Sequence, residues 1–165
     1  MSHLDGEISA TGFEPERRDT VVVTGLASDA HTWNLVFLQL LIEELGYHVV
    51  NLGPCVPDEV LVAECRSVDP VMVVIGSVNG HGFQDGKRVI EKLRACSGLA
   101  GTPTVIGGKL GTGGEHDGER LDALLEAGFD AVFDDGDDSV GRLRNFMAAI
   151  PARTASELSE TGTPR

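Results

Sequence analysis

Five short apolar runs rich in Val and Ile, each leading through a glycine, proline or acidic turn into a helical pattern, limit what this chain can fold into more than any other feature. The spacing predicts strands over 21–24, 48–52, 71–76, 104–106 and 131–133. Helices are expected over 33–45, 58–67, 83–95, 119–127 and 139–149. Runs such as Val21-Val22-Val23 and Val71-Met72-Val73-Val74-Ile75 are continuous and do not alternate with polar residues. A strand of that kind buries both faces, as a parallel sheet covered by helices on each side requires. The expected fold class is α/β: a flavodoxin-like, doubly wound, five-stranded parallel sheet in the order 2-1-3-4-5.

The strand and helix patterns stop short of both ends. Residues 1–18 and 151–165 are polar, rich in Glu, Ser, Thr and Pro, and lack periodicity, so they are expected to be disordered tails flanking one folded domain at 19–150. A formal charge of -13 argues against nucleic acid and against an anionic membrane surface, both of which would repel the chain. Cys55, Cys65 and Cys96 are odd in number and widely spaced, which suggests neither a disulfide framework nor a zinc cluster and fits a reducing compartment. No apolar stretch approaches the ~20 residues that span a bilayer. The start of the chain, with Asp5, Glu7, Glu14 and Glu16, lacks the basic and apolar regions of a signal peptide, so a cytoplasmic location is expected.

In the order 2-1-3-4-5 the connections reverse direction between the first and third strands, and ligands of open α/β sheets bind in that crevice. The loop after the first strand reads Ser28-Asp29-Ala30-His31-Thr32. The loop after the third reads Gly76-Ser77-Val78-Asn79-Gly80-His81-Gly82, and the fourth strand adds Gly107-Gly108-Lys109-Leu110-Gly111-Thr112-Gly113-Gly114. Glycines let a large flat ligand approach the backbone, so a deep slot for an extended ligand is expected. Asp29 and His31 suit a metal ligand and its orienting partner, because a ligating histidine passes its second ring N–H to a carboxylate. The competing reading makes Asp29 the cap of the next helix and His31 a solvated loop residue. A single histidine does not hold a bare ion, since zinc sites bring three or four protein ligands. A metal at His31 would therefore arrive with its own equatorial ligands, as in a macrocycle.

From about residue 20 to residue 147 the sequence resembles the vitamin B12-binding domains of cobalamin-dependent mutases, most of all the small subunit of glutamate mutase (methylaspartate mutase). The family motif is D-x-H-x-x-G, then S-x-L, then G-G. Here these read Asp29-Ala30-His31-Thr32-Trp33-Asn34, Gly76-Ser77-Val78 and Gly107-Gly108. Tyr47-His48-Val49-Val50-Asn51-Leu52-Gly53, Asn79-Gly80-His81-Gly82, Asp85 with Lys87, and Ala127-Gly128-Phe129-Asp130 extend the likeness. The resemblance implies that His31 displaces the dimethylbenzimidazole of adenosylcobalamin and becomes the lower axial ligand of cobalt, the base-off/His-on state. Asp29 would hold the other ring nitrogen, and Ser28, Ala30 and Thr32 would complete the loop. The freed nucleotide tail would lie in the slot between the first and third strands, along Gly76, Ser77, Val78, Gly80, Gly107 and Gly108, with Phe133 and Asp134 beside the cofactor's edge and Lys109 either in reach of a phosphate or solvated. The competing reading of Asp134-Asp135-Gly136-Asp137-Asp138 is a solvated turn in which Asp137 or Asp138 caps the last helix. Asp29 and His31 are the candidate catalytic pair.

Two of the motifs depart from the family pattern. Asn34 stands for the closing glycine, where Asn tolerates φ > 0 better than most residues. Gly76 and Val78 stand for the serine and leucine, which removes a hydroxyl and opens space in the tail slot. By resemblance the chain is the cobalamin-carrying subunit of a mutase that interconverts L-glutamate and 3-methylaspartate. About 130 ordered residues do not also hold a substrate barrel, which typically needs about 250, so a larger catalytic subunit is the expected partner; homodimerisation is allowed. A corrinoid carrier of a methyltransferase system shares the loop motif but usually has a helical cap before its first strand. A response-regulator receiver shares the strand order but needs a lysine after the fifth strand, where Asp134 and Asp135 stand. A cofactor-free scaffold is the reading that Asn34 and Gly76 favour. Of the remaining histidines, His48 reads as a strand-end or core residue, His81 and His116 as loop residues, and His3 as part of the tail.

Overall fold

The computed structural model describes residues 19–110, 115–136 and 138–151. Strands and helices alternate: β1 Thr20–Gly25, α1 Trp33–Glu44, β2 His48–Asn51, α2 Asp58–Val68, β3 Met72–Ser77, α3 Gly82–Ala95, β4 Thr104–Gly108, α4 Asp117–Ala127, β5 Ala131–Asp134 and α5 Ser139–Ala148. All neighbouring strands pair in parallel, in the order β2-β1-β3-β4-β5. The expected order is thus observed, and β4 runs past its expected end because Gly107 and Gly108 stay in the ladder, opposite Gly76 and Ser77. The expected tails (apart from Pro151), residues 111–114 of the third glycine-rich loop, and Asp137 lie outside the described residues. Among the described residues no helix is long and apolar enough to cross a membrane.

The sheet separates two cores. Val21 and Val23 join Val74, Val105 and Phe133 beneath Leu35 and Ile42 of α1 and Leu143 and Met147 of α5. Val22 turns the other way and meets Val73, Ile75 and Ile106 beneath Leu61 of α2, Ile90 and Leu93 of α3 and Leu124 of α4. This is the strand alternation of period two with both faces covered, so every residue of the β1 run Val21-Val22-Val23 is buried. Each such side chain stabilises the fold by about 1.5–3 kcal/mol relative to exposure, before chain entropy is set against it.

Arg94 fastens the lower end of the sheet. Its guanidinium donates to the carbonyls of Gly128 (2.8 and 2.9 Å), Ala100 (2.9 Å) and Thr102 (2.8 Å) and to the Asp130 carboxylate (2.8 Å). The same carboxylate accepts from the Thr104 N–H at 2.7 Å, so the start of β4 and the turn into β5 share one clamp.

A second polar group joins α2 to α3. Asp58, only 5% exposed, accepts from Arg88 Nε at 2.7 Å and pairs with Lys92 Nζ at 3.0 Å. Burial alone raises its pKa, but the hydrogen bonds and charges of Arg88 and Lys92 outweigh it and hold the carboxyl below its ordinary 3.8. A carboxyl whose pKa is depressed on folding stabilises the fold fully above its unfolded pKa and loses that contribution as pH falls through the folded value. Asp58→Asn is therefore expected to lower the unfolding free energy by about 1–2 kcal/mol at pH 7, the cationic partners being partly solvated. The gap between variant and wild type should close in acid, below the ordinary carboxyl range. Urea denaturation at the two pH values checks this, and a gap independent of pH would contradict it.

Candidate functional site

The loop after β1 is built around one buried carboxylate. Asp29 is 2% exposed, and its N–H donates to the Leu26 carbonyl at 3.0 Å, turning the chain back under the sheet's upper edge. Its Oδ1 accepts the His31 N–H at 3.0 Å and lies 2.8 Å from His31 Nδ1, while Oδ2 accepts the Val78 N–H at 2.7 Å. Burial raises the Asp29 pKa, but the N–H groups of Val78 and His31 and the imidazole itself outweigh that, so the carboxyl titrates below its usual range. The helix-capping alternative is not what is observed: α1 begins after Thr32, and no side chain caps it.

A carboxylate at Nδ1 keeps the ring proton there and leaves the lone pair on Nε2. The His31 side chain is 61% exposed, so that lone pair faces outward from a ring held at its back. Ser28 anchors the same loop: its hydroxyl donates to Asp85, and its carbonyl and Oγ accept from Asn79 Nδ2 at 2.9 and 3.3 Å. Asn79 Oδ1 in turn accepts the His81 N–H at 2.9 Å. Ala30 and Thr32 are exposed on either side of His31.

Beside this loop a cavity of about 150 Å³ opens between α1 and α5 over the upper ends of β3, β4 and β5, and not in the expected slot between the first and third strands: no residue of β1 lines it. Of the expected tail contacts, Gly76, Val78, Gly107, Gly108 and Phe133 line it. Val78 thus belongs to both features, its N–H holding Asp29 while the residue lines the cavity. Ser77 does not join them. The next residue along β3 from Gly76, it points to the opposite face, where its hydroxyl lies beneath Gly82 and finds no hydrogen-bond partner among the described residues. Gly80 forms the following turn with φ 80°, Lys109 is exposed, and Asp134 lies half-buried 3.8 Å from Arg142; none of the three lines the cavity. Asp138 precedes α5 at φ 69° without a capping hydrogen bond from its side chain. His48 is exposed at the start of β2.

Of the paired glycines, Gly108 is needed by the sheet before any ligand is considered, and Gly107 is closely fitted. A Cβ on Gly107 would stand 3.1 Å from the Phe133 carbonyl oxygen, and one on Gly108 would collide with the Ser77 carbonyl. Gly108 also has φ 101°, a conformation open to glycine and strained for other residues. On the helix side the cavity is lined by Asn34, Phe37 and Leu38 of α1 and Val140 and Leu143 of α5, of which only Asn34 belongs to a sequence motif.

Among the described residues no group of three or more His, Cys, Asp and Glu side chains could hold a metal ion. What the site offers is one imidazole lone pair, a buried carboxylate behind it, and an apolar cavity of aromatic-ring size at its side. That donor set fits a metal already enclosed in a macrocycle with a planar appendage, the class to which corrinoids belong. The chain belongs to the B12-binding domain family, whose model matches residues 19–144.

Within that family it is similar to glutamate mutase sigma subunit 1 of Haloarcula marismortui, 30% identical over 76% of this chain and 83% of that one. It is also similar to the glutamate mutase sigma subunit of Halobacterium salinarum, 34% identical over 69% of this chain and 75% of that one. Among solved structures, a cobalamin-binding protein from Desulfitobacterium hafniense DCB-2 shares the fold, with a TM-score of 0.62 at 18% identity. That match covers 80% of this chain, which spans 59% of the length of that protein.

Proposed function

We propose that the chain is the cobalamin-binding small subunit of an adenosylcobalamin-dependent mutase of the glutamate mutase type, acting with a larger catalytic subunit that carries the site for L-glutamate and 3-methylaspartate. The observation that carries this reading is the outward-facing His31 imidazole, fixed through Nδ1 by the buried Asp29 beside an apolar cavity. Similarity to proteins named glutamate mutase sigma subunit supports the choice of mutase and the need for a partner.

His31 would hold the cobalt through Nε2, in place of the cofactor's own base. Asp29 keeps the ring in one tautomer and one orientation, and its negative charge makes the imidazole a stronger donor. The walls of the cavity, Gly76, Gly107 and Phe133 among them, would receive the displaced dimethylbenzimidazole tail. When bound, adenosylcobalamin supplies radical chemistry through homolysis of its cobalt–carbon bond; the protein supplies binding and orientation.

Trp33, the only tryptophan of the chain, is 84% exposed and stands two residues from His31. Titration with hydroxocobalamin is expected to shift the visible spectrum of the corrin and to quench Trp33 fluorescence with the same midpoint. A protein that gives neither signal at saturating cobalamin does not have this function. Activity then requires the larger subunit, supplied from a relative.

A further inference from the structure

The cavity is lined by apolar side chains and backbone with two exceptions, the Ser139 hydroxyl and the Asn34 carboxamide. Asn34 lies in the first turn of α1, and its carboxamide makes no hydrogen bond among the described residues. Its Nδ2 sits directly over the third strand: a Cβ on Gly76 would stand 2.7 Å from it. The backbone of Gly76 is not in the left-handed region, so this glycine serves space and not conformation. A glycine inside a strand weakens it, which makes the space the reason to keep it there.

Positions 34 and 76 are also where the sequence departs from the glycine of D-x-H-x-x-G and the serine of S-x-L. The structure brings the two departures into contact. A polar group missing from the strand is supplied from the helix above it, in the same small volume. A flat aromatic ring entering this cavity would bury its faces against apolar walls, but a ring nitrogen carried in without a partner would be penalised for its lost water.

We infer that Asn34 reads the tail of the ligand: its carboxamide hydrogen-bonds the free ring nitrogen of a planar heteroaromatic base in the cavity, and Gly76 keeps the room for it. This rests on the reading that the cavity receives the cofactor's tail. Any side chain at 76 moves the carboxamide away. Because the colliding atom is the end of a flexible side chain, that displacement leaves the fold intact.

The test compares two probes that share the corrin, hydroxocobalamin with its nucleotide tail and cobinamide without one, in titrations read by corrin absorbance. Asn34→Ala is expected to weaken cobalamin binding roughly three- to tenfold, the worth of one hydrogen bond, while cobinamide binding stays unchanged. Gly76→Ser should do the same by displacing the carboxamide. The double variant Asn34→Gly with Gly76→Ser should recover cobalamin affinity, because the serine hydroxyl then occupies the vacated space. Equal losses for both probes, or none for either, would overturn the assignment of Asn34, and failure of the double variant to recover would overturn its pairing with Gly76. A wild-type protein that binds neither probe overturns the site itself. One that binds both through His31 without regard to residue 34 rejects only the present inference.

Discussion

Replacing His31 with alanine is expected to abolish imidazole ligation of cobalt and to weaken cobalamin binding by more than about a hundredfold, since losing only an outer partner of a metal ligand costs about 10–100-fold. Asp29→Asn should fall within that lower range, because the ring would keep its place but lose the charge that fixes its tautomer. The comparison is informative because the two side chains differ in what they do for the fold. The His31 side chain is exposed and, among the described residues, bonded only to Asp29, so its removal should leave thermal stability within about 0.5 kcal/mol of wild type. Asp29 also holds the Val78 N–H, so its loss should loosen the loop after β3 as well. Absorption spectra of bound hydroxocobalamin, with binding curves for the three proteins, decide the matter. A His31→Ala protein with wild-type affinity and spectrum would reject the ligand assignment.

Gly108→Ala should be the most damaging single methyl that can be added near the site. The position has φ 101°, and an alanine forced into such a region is strained by about 1–3 kcal/mol. The new Cβ would in addition strike the carbonyl oxygen of Ser77, a backbone atom of the facing strand that cannot rotate away. Relief requires prising β4 from β3, and the loss should reach about 3–5 kcal/mol, a large part of the ~5–15 kcal/mol that holds a domain together. Gly107→Ala is the control: it lacks the positive φ and meets the Phe133 carbonyl at 3.1 Å, so a small shift accommodates it. Urea denaturation should rank the two far apart. Equal midpoints would mean that the two strands do not approach as closely as described.

Much of this molecule can be read from its residues because the sheet is parallel. Continuous Val and Ile runs have no polar alternation to misjudge, and their regular interleaving with helical segments leaves few strand orders open. The end of β4 was harder, since Gly107 and Gly108 carry no strand propensity and pair only because β3 and β5 flank them. At the site, the spacing of Asp29 and His31 was a clear signal but left a capping role open; what separates the readings is the Val78 N–H, 49 residues away, which no local pattern reveals. Ser77 follows Gly76 directly, and the two-residue period of a strand puts adjacent residues on opposite faces, which is why only Gly76 lines the cavity. Asn34 drew notice only as a departure from a motif. Its place over Gly76 depends on where α1 lies on the sheet, and the apolar run Leu35-Val36-Phe37-Leu38 around it does not say which side turns inward.

The two oxygens of Asp29 have a consequence for how recognition is organised. One touches the ring that would meet the head of a ligand, the other an amide in the wall that would meet its far end. A displacement at either place is felt at the other through the two covalent bonds Oδ1–Cγ–Oδ2 and no solvent. Grip on a metal and accommodation of an appendage would therefore be coupled in this chain, each drawing on the same carboxylate.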